Sequence, residues 1–139
     1  MTAFFETRRL IRHGHTDPAG FAFYPRYYEL IAETIEDFLA EVAGLRLGDM
    51  HIRQRVGLPT VHIETSFLAP SYCGDELQFS LVVTRLGRSS ATFEITATCD
   101  GERRLVTRQT IAQVELDSMT SLPFDEALRE QLGAYLRTT

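Results

Sequence analysis

The segment from Tyr24 to Gly44 reads YPRYYELIAETIEDFLAEVAG, and its apolar residues recur at every third or fourth position. Pro25 is tolerated in a first helical turn, and Gly44 is a common C-terminal stop. A period near 3.6, with acidic residues on the remaining surface, predicts one amphipathic helix of about five turns that can lie across a sheet. The apolar positions are Tyr27, Leu30, Ile31, Ile35, Phe38, Leu39 and Val42.

Strand-like segments stand on both sides of this helix. One precedes it and four follow it, and Asp100-Gly101 between the last two is a strong hairpin signal. Connections this short favour antiparallel neighbours. A short helical turn is predicted near Asp49–Arg53 and a terminal helix over Pro123–Leu136. The predicted strands are Phe4–Arg12, Thr60–Ala69, Glu76–Leu86, Ser89–Cys99 and Arg103–Leu116.

This order of elements predicts an α+β architecture with its helices on one side of the sheet. A single long central helix wrapped by a curved antiparallel five-stranded sheet, followed by a short C-terminal helix, is the hotdog fold. Such a sheet has exposed edges, and pairing with a second copy commonly covers them. We therefore expect a homo-oligomer.

Composition narrows the classes of function. With 139 residues, 44% hydrophobic and 24% charged, we expect one soluble domain over residues 1–139. The net charge of −5 disfavours a nucleic-acid partner. All 14 basic residues are Arg, so side-chain amine catalysis is excluded. No apolar run reaches the ~18 residues of a membrane span, no secretory signal is visible, and Cys73 and Cys99 form no CxxC. These features predict a cytoplasmic protein with reduced thiols.

Three motifs carry a resemblance to a known family. Asp17-Pro18-Ala19-Gly20, then aromatic residues, then Tyr24-Pro25-x-Tyr27, closely resembles the motif of the 4-hydroxybenzoyl-CoA thioesterase family. The segments Pro70-x-x-x-Gly74-Asp75-x-Leu77 and Leu86-Gly87-Arg88-Ser89-Ser90 resemble two turns of the same family and occur in the right order. The resemblance covers residues 5–120.

The resemblance implies a hotdog fold, a dimer as minimal unit, often a tetramer, and hydrolysis of an acyl-CoA thioester. It places the catalytic carboxylate at Asp17, the backbone oxyanion donor at Tyr24, and the CoA-phosphate contacts at Arg88, Ser89 and Ser90. Members associated with the Tol-Pal envelope system usually carry His where this chain has Tyr24. Its absence disfavours that assignment, and Pro18-Ala19-Gly20 together with Tyr24-Pro25 instead resembles the branch of the family that acts on aromatic acyl-CoA. No metal or redox cofactor is implied, because CoA is part of the substrate.

The residues themselves agree with this chemistry. Thioester hydrolysis needs a nucleophile or base, stabilisation of an oxyanion, and residues that bind the CoA leaving group. No GxSxG motif occurs. Asp17, in a Pro/Gly turn before a helix, can attack the thioester or activate water, and both routes stay open. Helix N-terminal amides suit the oxyanion, and the guanidinium of Arg88 suits a phosphate.

Several alternatives remain open from the sequence. His13 and His15 are a weak metal signal, could orient Asp17, or could serve a hydratase or dehydratase. A non-catalytic acyl-CoA or acyl-carrier binding module, or an envelope-linked scaffold, is an alternative of a different class, and the intact Asp17 motif argues against it. Glu64 is an alternative second carboxylate, and Arg85, Arg103 and Arg104 are weaker phosphate ligands. The rings of Phe21, Phe23, Tyr27 and Tyr28 belong either to the core or interface, or to an acyl pocket.

Overall fold

A computed structural model of the protein describes residues 3–137. The central helix, α1, runs over Tyr24–Ala43, and Pro25 lies in its first turn. Gly44 ends it in the left-handed conformation, with φ of 66°, and its N–H donates back to Ala40. Glycine adopts this conformation without the steric penalty of a Cβ. The predicted helix is confirmed, and its buried face consists of Tyr27, Leu30, Ile31, Thr34, Ile35, Phe38 and Leu39.

Eight strands and a second helix complete the described chain. Five strands form one antiparallel sheet in the order β1-β4-β5-β6-β3, and three short ones form a second sheet in the order β2-β7-β8. The strands are β1 (Phe5–Leu10), β2 (Val56–Gly57), β3 (Thr60–Phe67), β4 (Glu76–Leu86), β5 (Ser90–Cys99), β6 (Glu102–Ala112), β7 (Val114–Glu115) and β8 (Thr120–Ser121). The second helix, α2, is Glu126–Gly133. A helical turn over Asp49–Gln54 matches the one predicted nearby.

The core lies between α1 and the inner face of the large sheet. Alternate residues of β4, β5 and β6 are buried, as a half-buried strand requires. Phe38 of α1 is fully buried, and its ring meets those of Phe5, Phe93 and Tyr135 with centroids 5.6, 5.7 and 5.2 Å away. Burial of one such side chain stabilises the fold by roughly 1.5–3 kcal/mol. The predicted α+β hotdog architecture is confirmed.

Three details of the predicted elements were wrong. β3 and β4 follow each other in sequence but are not neighbours, because β3 pairs with β6 and β4 pairs with β1. The predicted strand Arg103–Leu116 is interrupted at Gln113, whose side chain donates to the carbonyls of Leu122 and Pro123 as the chain leaves the large sheet. The terminal helix is shorter than predicted, because the Asp125 carboxylate caps its start by accepting the Leu128 N–H.

The edge strand β3 is exposed along almost its whole length. It pairs with β6 on one side, and no other strand within residues 3–137 pairs with its second side. Apolar side chains lie along it, with Val61, Ile63 and Phe67 exposed by 60%, 38% and 47%. An open edge with exposed apolar residues is a template for pairing with another chain. No helix of the described chain is long and apolar enough to span a membrane.

Candidate active site

Asp17 begins a tight turn just before α1. The Gly20 N–H donates to the Asp17 carbonyl over 2.9 Å, and Gly20 takes a φ of 96° that favours glycine. The Asp17 Oδ1 accepts the Ala19 N–H at 2.8 Å. Within residues 3–137, Oδ2 has no hydrogen-bond donor. One oxygen of this half-buried carboxylate therefore fixes the turn, while the other is available to a substrate or a water molecule.

Backbone hydrogen bonds hold both ends of this turn. The Asp17 N–H donates to Phe21, the Ala22 N–H to Ser71, and the Phe23 N–H to His15, over 3.1, 2.8 and 2.8 Å. The His15 Nδ1 accepts the Arg12 N–H at 2.8 Å. His15 thus stabilises the backbone that leads into the turn. No group of three potential metal-ligating side chains occurs in the described chain.

The backbone N–H of Tyr24 is the first of α1. No acceptor for it is present in the part of the chain that the structure describes, as is usual for the first amides of a helix. The dipole of the helix adds partial positive charge at this end. Asp17 and Tyr24 line one cavity of about 430 Å³. The structure thus brings the two predicted catalytic groups to the same space.

The walls of this cavity are apolar and largely aromatic. Phe67, from the end of β3, has its ring centroid 6.4 Å from that of Tyr24 and 5.8 Å from that of Tyr27. Tyr27 is only 5% exposed and belongs to the core, whereas Phe21 and Phe23 are 40% and 44% exposed. The sequence analysis did not single out Phe67, because its strand position gave no signal of a site. The other lining residues are Phe21, Ala22, Phe23, Leu68, Ala69 and Pro70.

The predicted CoA-phosphate residues lie in the turn between β4 and β5. Arg88 is exposed, with no ion pair to any described residue. The Ser89 Oγ is 2.7 Å from the Ser121 Oγ, and the Gly87 N–H donates to the Ser90 carbonyl at 2.8 Å. A Cβ at position 87 would lie 2.9 Å from the Ser90 Oγ and 3.3 Å from the Ser90 carbonyl oxygen, so a larger residue there would have to displace Ser90.

This turn and the Asp17 cavity lie at opposite ends of the sheet. The 11 residues of β4 start at Glu76, after the Pro70 segment that lines the cavity, and end at Leu86. At about 3.3 Å per residue, the strand is about 33 Å long. Within one chain, Arg88, Ser89 and Ser90 are therefore not brought to Asp17.

Glu64 and Arg104, two of the other sequence candidates, do not line the Asp17 cavity. Glu64 lies on the outer face of the sheet, in a cleft with Glu94 and Arg108. The side chain of Arg104 is only 12% exposed and contacts Asp75 at 2.8 Å. A second cavity, of about 330 Å³, lies beside the start of β3 and includes Ala32 and Thr60.

A long helix wrapped by a five-stranded antiparallel sheet, with a carboxylate and one free amide at the helix start, defines a hotdog protein of the thioesterase type. The family model described as the Thioesterase-like superfamily matches residues 11–132. The chain belongs to this superfamily, as the sequence motifs predicted.

Individual relatives agree with this assignment. Over 85 residues the chain is 36% identical to the 1,4-dihydroxy-2-naphthoyl-CoA hydrolase of Synechococcus elongatus, covering 60% of this chain and 62% of that protein. The chain thus spans less than two thirds of that relative. The crystal structure of a 1,4-dihydroxy-2-naphthoyl-CoA thioesterase from Synechocystis superposes with a TM-score of 0.86 at 20% identity, over 94% of this chain and 96% of that one. A hypothetical protein from Staphylococcus aureus, in complex with CoA, gives 0.89 at 16% identity, over 100% and 89%.

Proposed function

We propose that the protein hydrolyses the thioester of an aromatic acyl-CoA to the free acid and CoA. The observation that carries this proposal is that Asp17, with one free carboxylate oxygen, and Tyr24, the first residue of α1, line the same largely aromatic cavity. Flat rings such as those of Phe23 and Phe67 pack well against an aromatic acyl group. The relatives named for 1,4-dihydroxy-2-naphthoyl-CoA, together with the CoA-bound Staphylococcus protein, support both halves of the substrate.

The thioester carbonyl oxygen would accept a hydrogen bond from the Tyr24 N–H. In one route, Asp17 removes a proton from water as the water oxygen bonds to the carbonyl carbon. The resulting oxyanion collapses, the carbon–sulfur bond breaks, and the CoA thiolate takes the proton. In the other route, Asp17 attacks the carbon itself and expels the thiolate, and water then hydrolyses the mixed anhydride. Removing one preorganised oxyanion donor typically costs about 2.7–4 kcal/mol at the transition state.

The complete site needs a second copy of the chain. Antiparallel pairing of two β3 edges about a two-fold axis near Ile63 and Glu64 would set Thr60 of the partner subunit opposite Phe67. Since the turn that carries Arg88 is at the Thr60 end of the sheet, this arrangement brings Arg88 of the partner subunit toward Asp17. Its guanidinium would bind a CoA phosphate. The positive charge of Arg88 can attract a phosphate locally, although the net charge of the whole chain is −5.

The exposed β3 edge supports the proposal that the protein forms a dimer. We propose further that two such dimers pair into a tetramer. Both cysteines are free thiols, which suits a reducing compartment such as the cytoplasm.

The test compares Asp17→Asn with the wild type by release of free thiol from benzoyl, 4-hydroxybenzoyl, phenylacetyl, dihydroxynaphthoyl and straight-chain CoA. We expect the wild type to prefer an aromatic acyl group, and the variant to lose at least ~100-fold in kcat, about 2.7 kcal/mol of barrier. Glu41→Gln, at an exposed carboxylate on α1, is the matched control.

Three results would contradict the proposal. Binding of acyl-CoA without turnover would favour the binding module. Hydration of an enoyl-CoA without thiol release would favour a hydratase. If Glu64→Gln loses as much activity as Asp17→Asn, the chemistry does not belong to the Asp17 carboxylate alone.

A further inference from the structure

Arg104 lies near the start of β6 and is largely shielded from solvent, although the sequence predicted for it only a weaker role as a phosphate ligand. Its side chain is 12% exposed. One terminal nitrogen, Nη1, lies 3.0 Å from the Pro70 carbonyl, 3.1 Å from the Ser71 Oγ and 2.8 Å from the Asp75 Oδ2. The Glu102 Oε1 is 2.7 Å from Nε, as an ion pair without hydrogen-bond geometry. A charged donor shared among three acceptors binds more strongly than a neutral one.

The backbone of Arg104 contacts the same segment. Its carbonyl accepts the N–H groups of Leu68 and Ala69, at 2.8 and 3.2 Å. The segment 68–75 joins β3 to β4, which are not neighbours, so it lacks the ladder bonds of a hairpin. Arg104 instead bonds to this connection at both ends and in the middle. A connection without a ladder depends on such contacts for a single conformation.

The opposite side of the segment holds the loop that carries Asp17. The Ser71 carbonyl accepts the Ala22 N–H at 2.8 Å, and Tyr72 forms an isolated bridge with Phe21. Ser71 itself is fully buried. Leu68, Ala69 and Pro70 also line the cavity with Asp17 and Tyr24. The segment therefore touches Arg104 on one side, and the catalytic turn and the cavity on the other.

A local turn at the end of the segment makes Asp75 part of the same unit. The Tyr72 N–H donates to the Asp75 Oδ2 at 2.9 Å, and the Asp75 N–H donates to the Tyr72 carbonyl at 2.9 Å. Gly74, with φ of 96°, donates its N–H to Ile11 at 2.7 Å. These contacts give the Pro70-x-x-x-Gly74-Asp75 motif a physical reason: Asp75 closes the turn and presents its carboxylate to Arg104.

We propose that Arg104, through Ser71 and Asp75, is a positioning residue that holds the Asp17 turn and the Tyr24 N–H in register for thioester hydrolysis. The inference rests on the proposed function and extends it to a residue that does not touch the substrate. Displacement of a reacting group by about 1 Å can cost 10²-fold in rate. The proposed phosphate contact at Arg88 is elsewhere, so the effect belongs to kcat and not to KM.

The experiment measures kcat and KM for Arg104→Gln, Arg104→Lys and the matched control Arg53→Gln, well below each variant's Tm. We expect Arg104→Gln to lose at least ~10-fold in kcat with KM within about threefold, a split that marks a transition-state effect. Lysine keeps the charge and three donors, so Arg104→Lys should recover most of the rate. In the Asp17→Asn background, Arg104→Gln should cause little further loss, because residues that act as one unit are non-additive.

Each contrary result has a distinct meaning. Wild-type kcat in folded Arg104→Gln, or an equal ~10-fold loss in the Asp17→Asn background, would overturn the positioning role while the thioesterase function stands. An absence of turnover in the wild type would overturn both. If Arg104→Gln does not fold, Ser71→Ala removes one of the three acceptors. We then expect about a threefold loss in kcat, and an unchanged kcat would reject the proposal.

Discussion

The two ends of the large sheet differ in what they offer a substrate. At the end with Asp17, a cavity of about 430 Å³ combines a carboxylate, a free helix amide and aromatic walls. At the other end, the turn at Arg88 is exposed, and the guanidinium of Arg88 forms no ion pair with any described residue. Under the proposed function, the first end would bind the acyl thioester and the second end would bind the phosphates of CoA. The two halves of the proposed site would then meet only between two copies of the chain.

Disrupting the β3 edge should have the largest effect, because the proposed pairing of two chains through β3 joins the two ends of the sheet into one site. Ile63→Arg puts a charge on the exposed edge, so two chains should no longer pair. We expect a monomer by sedimentation velocity and a loss of at least ~100-fold in kcat/KM, because each site then lacks its second half. Ile52→Arg, at a position that is 78% exposed, introduces the same charge away from β3 and should leave both properties unchanged. A fully active Ile63→Arg monomer would contradict the two-chain site.

The Arg88 turn predicts a smaller effect, on binding. Arg88→Gln removes one charged contact to phosphate, so KM should rise about 10-fold with kcat nearly unchanged. The difference from wild type should shrink as salt is added, since exposed charges are screened. A normal KM, measured by thiol release at low and high ionic strength, would exclude Arg88 from the CoA site.

A heterodimer sharpens the same prediction. One chain carries Asp17→Asn and the other Arg88→Gln, with different tags for purification. If Asp17 of one chain works with Arg88 of its partner, one of the two sites is intact, and kcat/KM, measured at substrate concentrations well below KM, should be about half that of wild type. If both residues act within one chain, every site is damaged, and kcat/KM should stay near the mean of the two parents, which is about 10-fold lower.

The smallest expected effect concerns the pH dependence of stability. The Tyr72 N–H and the Arg104 guanidinium hold the pKa of Asp75 below its ordinary value. A carboxyl with a depressed pKa stabilises the fold above the pKa of the unfolded state, and this contribution is lost as the pH falls through the folded-state pKa. Asp75→Asn should therefore lower the free energy of unfolding at pH 7 by about 1–3 kcal/mol.

Urea unfolding at pH 7 and at stepwise lower pH checks this expectation. The gap between wild type and Asp75→Asn should close on acidification below about pH 4. A constant gap would mean that the carboxylate charge contributes nothing. The neighbouring ionisable groups, which are the same in both proteins, are Arg8, Glu76, Cys99, Asp100, Glu102 and Arg104.

Much of the fold was predictable because its signals are local. The period of α1, its stop at Gly44 and the Asp100-Gly101 turn each depend on residues within one or two turns of each other. Both residues of that turn have positive φ, 50° and 82°, as a tight hairpin requires. The break at Gln113 was missed because its side-chain amide bonds to carbonyls about ten residues later.

The residues of the candidate site also fall into two groups, those with a local signal in the sequence and those without one. The placement of Asp17 before a helix N-terminus follows from a run of residues, so the sequence predicted both it and the Tyr24 amide. Phe67 had no local signal, and the sequence predicted for Arg104 only a weaker role as a phosphate ligand. Phe67 lines the cavity because the end of β3 lies against the start of α1, and Arg104 is buried because segment 68–75 crosses over it.

The groups that the proposed function uses were thus specified by short stretches of sequence: a carboxylate in a Pro/Gly turn, a helix whose first amide lacks a partner in the described chain, and an arginine in a tight turn. Their arrangement depended on long-range strand pairing. Pairing β3 with β6 rather than with β4 leaves an apolar edge open and sets Asp17 and Arg88 at opposite ends of the sheet. Such pairing is decided by burial and hydrogen bonding between residues that are far apart in sequence, which no local pattern encodes.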